Sequence, residues 1–232
     1  MKKFQLFLVS ILCSLFLNCS TDDTDSTENQ MVDSSEYLYF VSGKINGESF
    51  VYGLRNDATS LDYQIISRIP LEGAVCATSQ DQGLDYKVTY GSSIYPNFDN
   101  EGSQPSLGFN FVRFYRCSSE ESSSQAFNSL FPTGNYEYAL DDNSSGTMGQ
   151  IGIDYSPIAS DVSTYYESYG ANDASNSFTI TSTASNNDSL LGTLVNVRQI
   201  IEGTFTVRLY NVNDASDFVD ITDGQFKITV SK

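Results

Sequence analysis

The chain has 232 residues, a formal net charge of −17 and neither histidine nor tryptophan. The missing histidine excludes Ser/His/Asp and Cys/His nucleophile systems and every zinc site built on imidazole ligands. The acidic charge excludes nucleic-acid binding through neutralised phosphates, which leaves carboxylate chemistry and non-catalytic binding as the function classes to weigh.

The first 18 residues have the pattern of a secretory signal. Two basic residues, Lys2 and Lys3, precede a mainly apolar stretch from Phe4 to Leu17. That stretch is shorter than the roughly 20 apolar residues that span a bilayer, so residues 1–18 are predicted to be a leader that is removed. Removal takes two of the 12 basic residues and none of the 29 acidic ones, so the mature charge becomes −19.

Cys19 follows the apolar stretch almost at once. The sequence Leu15-Phe16-Leu17-Asn18-Cys19 resembles the lipobox of Bacteroidota lipoproteins in its relaxed form. The resemblance implies that the thiol of Cys19 carries a diacylglycerol and that the new amino terminus carries a further acyl chain. Two or three acyl chains hold a protein firmly to a membrane. The alternative is an ordinary leader followed by an incidental cysteine.

The residues after Cys19 are small and acidic. Ser20-Thr21-Asp22-Asp23 resembles the export signal that sends Bacteroidota lipoproteins to the outer face of the outer membrane. The alternative is a solvated tether without an address, because a Ser/Thr/Asp-rich segment has too little apolar surface to fold. On either interpretation, residues 19–35 are predicted to be an acidic flexible tether.

Residues 36–232 are predicted to form a single all-β domain, an antiparallel β-sandwich or barrel-like sheet with one short helix. Apolar and polar residues alternate in short segments that turn residues separate. Asn46-Gly47 and Asp223-Gly224 favour tight hairpin turns, and the helix is predicted over Ser122–Phe131. The predicted strands are Tyr37–Ile45, Glu48–Tyr52, Asp62–Ile66, Gly73–Thr78, Asp85–Tyr90, Ser106–Tyr115, Tyr136–Leu140, Gly149–Tyr155, Ser177–Thr183, Leu194–Ile201, Gly203–Tyr210, Phe218–Thr222 and Gln225–Val230.

Three sets of motifs span most of this domain. They are Ile45-Asn46-Gly47-Glu48 near its start, Phe131–Tyr136 in its middle, and Ile201–Val207 with Ile221–Ile228 at its end. They are similar to motifs of a group of uncharacterised Bacteroidota surface lipoproteins. The resemblance implies an extracytoplasmic β-rich lipoprotein domain and carries over no activity and no site residue.

The four cysteines divide into two pairs. Cys13 leaves with the leader and Cys19 is the lipidation candidate, so Cys76 and Cys117 remain. In an oxidising compartment an exposed thiol does not persist, and we expect these two to form a disulfide. The alternative is a catalytic thiolate, which would need an activating base in a chain that has no histidine.

The loop after Leu140 contains a calcium-like pattern. Asp141, Asn143 and Ser145 occupy the first, third and fifth places of a calcium loop, but Gly152 stands at the twelfth place, where a bidentate glutamate belongs. We prefer the interpretation as a polar turn. No cofactor is therefore predicted, with calcium as the alternative.

A tyrosine cluster is the remaining chemical signal. Tyr165, Tyr166 and Tyr169 lie in a polar stretch where three rings are difficult to bury together. Exposed tyrosines are good contact residues for a sugar or a protein partner. The alternative is an irregular strand in which alternate rings point into the core.

The sequence thus predicts a lipid-anchored outer-membrane protein that faces the cell exterior and binds without catalysing a reaction. The leading hypothesis is an accessory subunit of an outer-membrane protein complex. The alternatives are a free-standing glycan- or matrix-binding adhesin and a carboxylate-based glycoside hydrolase. With 29 acidic residues, the sequence identifies no catalytic pair.

Overall fold

A computed structural model describes residues 32–57, 63–68, 85–97, 104–116, 127–139, 150–161, 163–169, 175–191 and 193–231. Asp33 to Lys232 form one compact unit. Among the described residues, no helix has the length and apolarity that a membrane crossing requires. Some sequence predictions lie outside the described residues: strand Gly73–Thr78 and the candidate sites at Cys19, Ser20, Thr21, Asp22, Asp23, Cys76, Cys117, Asp141, Asn143 and Ser145.

The described residues are almost entirely β-strands, which confirms the all-β prediction. A 3-10 helix at Ser34–Glu36 precedes the first strand. The strands are β1 (Tyr37–Ile45), β2 (Glu48–Arg55), β3 (Tyr63–Arg68), β4 (Asp85–Pro96), β5 (Ser106–Arg116), β6 (Gly134–Tyr138), β7 (Gln150–Ser156), β8 (Tyr166–Glu167), β9 (Ser177–Ser185), β10 (Asp188–Leu190), β11 (Thr193–Asn196), β12 (Arg198–Asn211) and β13 (Asp214–Ser231).

Eleven of these strands form one barrel-like sheet. Its order is β2-β1-β13-β12-β9-β6-β7-β5-β4-β3, and β8 pairs with both β7 and β12. The remaining strands, β10 and β11, form a separate two-stranded hairpin. The pairing is antiparallel as predicted except between β6 and β7, where Glu137 and Tyr138 run parallel to Gln150 and Ile151.

The two predicted hairpin turns have different outcomes. Asn46 and Gly47 both have positive φ angles and connect β1 to β2, as the dipeptide predicts. The turn predicted at Asp223-Gly224 is wrong, because β13 continues through it and Asp223 sits in a left-handed bulge instead. The segments on both sides pair with the same neighbour, β12, and so cannot pair with each other. The β12–β13 turn lies at Val212 and Asn213.

The short predicted helix is present at its C-terminal end. Phe127 and Asn128 are helical, and a turn at Ser129 and Leu130 follows before Pro132. The start predicted at Ser122 lies outside the described residues. Phe127 is buried and packs against Tyr90 with ring centroids 5.4 Å apart, so this turn covers one part of the core.

The core is built from alternate residues of the long strands. Along β12, Ile201, Phe205, Val207 and Leu209 are all buried, as the alternation predicts. Phe226 of β13 stacks on Phe178 of β9 with ring centroids 4.9 Å apart, and phenylalanine rings form much of the centre. Large rings therefore fill the space inside the sheet.

Arg113 is a charged exception inside this core. Its side chain is 1% exposed and donates to the carbonyl oxygens of Leu130, Val112 and Gln150 at 2.6, 2.8 and 3.2 Å. Its guanidinium also lies 4.9 Å from the ring centre of Tyr136. Burial lowers the pKa of Arg113 to about 10, since a desolvated cation is disfavoured.

The sheet has two ends, which we name the proximal end and the distal end. The proximal end holds the start of β1 at Tyr37, where the chain enters the domain, and the end of β13 at Ser231. The distal end holds the Asn46-Gly47 turn and the β12–β13 turn. Long antiparallel strands separate these two ends.

The chain is fixed where it enters the proximal end. Glu36 pairs with Arg55 at 3.1 Å, and the guanidinium of Arg55 lies 5.5 Å from the ring centre of Tyr37. Tyr37 in turn covers Phe40, which is 3% exposed. These contacts fix the first residues of the compact unit, which begins at Asp33.

Candidate binding site on the outer sheet face

A row of directly opposed residues crosses six strands on the outer face of the sheet. Residues opposite each other in antiparallel strands point to the same face. Neighbouring strands lie about 4.8 Å apart, so the row spans about 24 Å along the sheet. Its members, which we name the cross-strand row, are Ser93, Gly108, Asp154, Glu167, Tyr210 and Phe218.

Two carboxylates occupy the middle of the cross-strand row. Asp154 of β7 stands opposite Glu167 of β8, and both side chains are partly buried. Directly opposed residues have Cβ atoms about 4.5–5.5 Å apart. Behind them, the next residues of the two strands, Tyr155 and Tyr166, point inward with ring centroids 6.2 Å apart. The inward tyrosines thus support the outward carboxylates.

A glycine allows the carboxylate of Asp154 to lie flat on the sheet. Gly108 of β5 is opposite Asp154, and a Cβ at this position would overlap the Asp154 carboxylate and lie 2.8 Å from the Ser93 hydroxyl. The Asn110 side chain, one pleat further along β5, donates to Oδ2 of Asp154 at 2.7 Å. The Asn110 amide and the space left by Gly108 therefore set the orientation of the Asp154 carboxylate.

A second glycine supports the ring of Tyr169. A Cβ on Gly152 would lie 2.7 Å from the Tyr169 hydroxyl oxygen and 2.9 Å from its Cζ. Ser168 fixes the preceding position, because its amide donates to Ile153 O at 2.9 Å and its hydroxyl accepts from Ile153 N at 2.8 Å. We name the cross-strand row together with Asn110 and Tyr169 the candidate face.

The other end of the candidate face is aromatic. Tyr210 of β12 stands beside Phe218 of β13, with ring centroids 6.3 Å apart, and Phe218 is 42% exposed. Arg208 lies 4.1 Å from the ring centre of Phe218 and forms a bidentate pair with Asp220 at 2.7 and 2.8 Å. This pair holds the exposed ring in place.

The predicted tyrosine cluster is divided between the two faces of the sheet. Tyr169 lies on the candidate face, and Tyr165 is partly buried. Tyr166 is 7% exposed and points inward, so it offers no exposed contact surface. The buried Tyr166 between the partly buried Tyr165 and Glu167 follows the alternation of a strand.

The Tyr166 hydroxyl is tied to the distal end. It donates to Oδ2 of Asp217 at 2.9 Å, and the Asn211 side chain donates to the same oxygen at 2.9 Å. Burial raises the pKa of Tyr166, and the nearby Asp217 carboxylate raises it further. Tyr166 therefore acts as a support for β8 and for the Glu167 beside it.

Sequence reasoning did not identify Asp154, Glu167 or Tyr210. The alternation of β7 does contain the signal for Asp154, because isoleucines at 151 and 153 leave residues 152 and 154 on the opposite face. The partner Glu167 follows only from the β7–β8 register. Without that register, any two of the 29 acidic residues would be equally good candidates.

Fold and site together define an all-β domain whose outer sheet face carries two carboxylates and two aromatic rings in one row. Among the described residues, no group of three or more histidine, cysteine or acidic side chains is arranged to hold a metal ion. In comparisons with known proteins, no family model, no curated protein and no solved structure matched the chain.

Proposed function

We propose that the protein is a lipid-anchored binding protein of the outer membrane, facing the cell exterior, that holds a neutral polysaccharide chain on the candidate face. The observation that carries the proposal is the cross-strand row, where Asp154 and Glu167 lie between small residues on one side and the rings of Tyr210 and Phe218 on the other. The lipobox resemblance at Cys19 supports the anchor.

The chemistry of the candidate face suits hydroxyl groups. Carboxylate oxygens accept strong hydrogen bonds from hydroxyls, and aromatic rings add rigid apolar contact area. A row of about 24 Å offers these contacts in series to an extended chain. The net charge of −17 for the whole chain repels anionic polymers, which favours a neutral ligand.

The two carboxylates alone do not separate binding from hydrolysis. Retaining glycoside hydrolases hold their two carboxyl groups about 5–5.5 Å apart, and directly opposed residues such as Asp154 and Glu167 have Cβ atoms about 4.5–5.5 Å apart. The row, however, continues beyond this pair to Tyr210 and to the exposed ring of Phe218. This extended row favours an adhesin-like role, with hydrolysis as the alternative.

Asp154→Asn tests the proposal in a binding assay. Purified chain is measured against neutral polysaccharides by affinity electrophoresis and glycan array, with Asp57→Asn, an exposed aspartate outside the candidate face, as the matched control. Loss of a hydrogen bond to a charged group costs about 1.5–3 kcal/mol, so we expect binding to weaken about tenfold or more. Equal binding by both variants would contradict the proposal.

The same samples separate the other hypotheses. Release of new reducing ends that stops in Asp154→Asn would make the protein a hydrolase. A stoichiometric outer-membrane protein that co-purifies with the lipidated chain, without any polysaccharide binding, would make it an accessory subunit. Retention of the protein in membranes with Cys19 and its release in Cys19→Ala tests the anchor separately.

A further inference from the structure

The β10–β11 hairpin stands apart from the main sheet. It leaves the end of β9 and returns at the start of β12, where Asn186 N donates to Arg198 O at 2.9 Å and Arg198 N donates to the Asn187 side chain at 3.1 Å. Its base is polar, since Asp188 accepts from Asn196 at 3.2 Å and pairs with Arg198 at 3.4 Å. Among the strands that the structure describes, its two strands pair with each other alone, so the hairpin does not add to the barrel-like sheet.

The hairpin lies at the proximal end of the domain. Arg198 is opposite Ser231, the last residue of β13, and β13 is also the neighbour of β1. Lys227 of β13 donates to Tyr37 O at 3.2 Å, which places the start of β1 at the same end. The hairpin therefore emerges where the chain enters the domain, and away from the distal turns.

The tip of the hairpin presents an apolar side chain. Leu191 is 99% exposed and has a φ angle of 51°, a left-handed conformation that leucine rarely adopts. The sequence from Ser189 to Val195 contains four apolar residues and no charge, within a chain that carries 29 acidic residues. The fully exposed Leu191 thus stands within an uncharged sequence, unlike the polar base of the hairpin.

We infer that Leu191 inserts into the surface of the membrane that carries the lipid anchor. The inference rests on the anchorage in the proposed function. Acyl chains on Cys19 keep the domain within reach of the lipid through the predicted flexible tether, and an uncharged leucine tip at the proximal end can then enter the boundary between headgroups and acyl chains. Two contacts in place of one fix the tilt of the domain and keep the distal end directed away from the membrane.

The absence of tryptophan makes a direct test practical. Leu191→Trp introduces a single fluorophore at the hairpin tip, and Val212→Trp, in the distal turn at a site that is 46% exposed, is the matched control. Each lipidated chain is purified from membranes and reconstituted into phosphatidylcholine vesicles with and without brominated acyl chains. Circular dichroism checks that both variants fold.

We expect the fluorescence of Leu191→Trp to shift to shorter wavelength and to be quenched by the brominated lipid, while Val212→Trp stays unshifted and unquenched. If both variants float with the vesicles and neither is quenched, the inference is overturned while the anchor stays supported. Failure of both variants to float would overturn the anchor, and the inference with it. A shift to shorter wavelength that appears only after solubilised outer-membrane proteins are added, without quenching by the brominated lipid, would assign the tip to a protein interface and would also overturn the inference.

Discussion

The two faces of β7 differ in what fixes their side chains. On the inner face, Ile151, Ile153 and Tyr155 are held by dense packing and are at most 7% exposed. On the outer face, Gly108 and Gly152 have no side chain, and this leaves room for the Asp154 carboxylate and the Tyr169 ring. The inner face therefore carries the packing that stabilises the domain, and the outer face carries the polar groups of the candidate site.

Alkaline pH should give the largest effect, through the inner face. Burial raises the pKa of Tyr52 and Tyr138, and also of Tyr155 and Tyr166. The folded state then holds these protons more tightly than the unfolded state, so stability is full below the ordinary tyrosine pKa of about 10 and falls as pH rises above it. Arg113 acts in the opposite direction. Burial lowers its pKa to about 10, so the folded state loses this proton at a lower pH than the unfolded state does, and this offsets part of the loss of stability.

Ultraviolet absorbance of tyrosinate and circular dichroism, followed together, measure this effect. We expect much of the absorbance change to coincide with cooperative unfolding. Complete titration of all 15 tyrosines while the sheet remains folded would contradict the buried positions of these rings.

Phe226→Ala should give the next largest effect. Phe226 is 1% exposed, and its ring packs against those of Phe178 and Phe109, with centroids 4.9 and 5.1 Å away. Removal of such a ring costs about 3–5 kcal/mol, because it loses burial and leaves a cavity. Chemical denaturation measures the change, and a loss below about 1 kcal/mol would show that the centre is loosely packed.

Much of the fold could be predicted from local pattern. The alternation along β12 predicts which of its residues are buried, and Asn46-Gly47 predicts the β1–β2 turn. Both signals depend only on residues that are close in sequence. Asp223-Gly224 carries the same kind of turn signal and forms a bulge, since pairing of both flanking segments with β12 decides its conformation. The parallel pairing of β6 with β7 likewise depends on the whole sheet.

The candidate face was much less accessible to sequence reasoning. Tyr169 could be proposed from its polar surroundings, but the same argument included Tyr166, which the pleat turns inward. Asp154 and Glu167 meet only because β8 inserts between β7 and β12. Tertiary pairing of this kind has no signature in either segment alone.

Gly152→Ala should have an intermediate effect, on both stability and binding. The new methyl group would meet the Tyr169 ring at 2.7–3.0 Å, so the ring must move off the sheet. Overpacking of this kind costs about 1–3 kcal/mol, and we expect the displaced ring to weaken polysaccharide binding as well. Thermal unfolding and affinity electrophoresis measure the two changes. Unchanged stability and binding would show that the Tyr169 ring does not rest on Gly152.

Glu167→Gln should have the smallest effect on stability and a clear effect on binding. The substitution keeps the size of the side chain on the outer face, so we expect the free energy of unfolding to change by less than about 0.5 kcal/mol. The carboxylate, however, is one of the two charged acceptors of the cross-strand row, and its loss should weaken polysaccharide binding about tenfold. Glu137→Gln, at an exposed glutamate of β6 outside the row, is the matched control. A large loss of stability in Glu167→Gln would mean that the outer face also supports the fold, and the separation of roles between the faces of β7 would not hold.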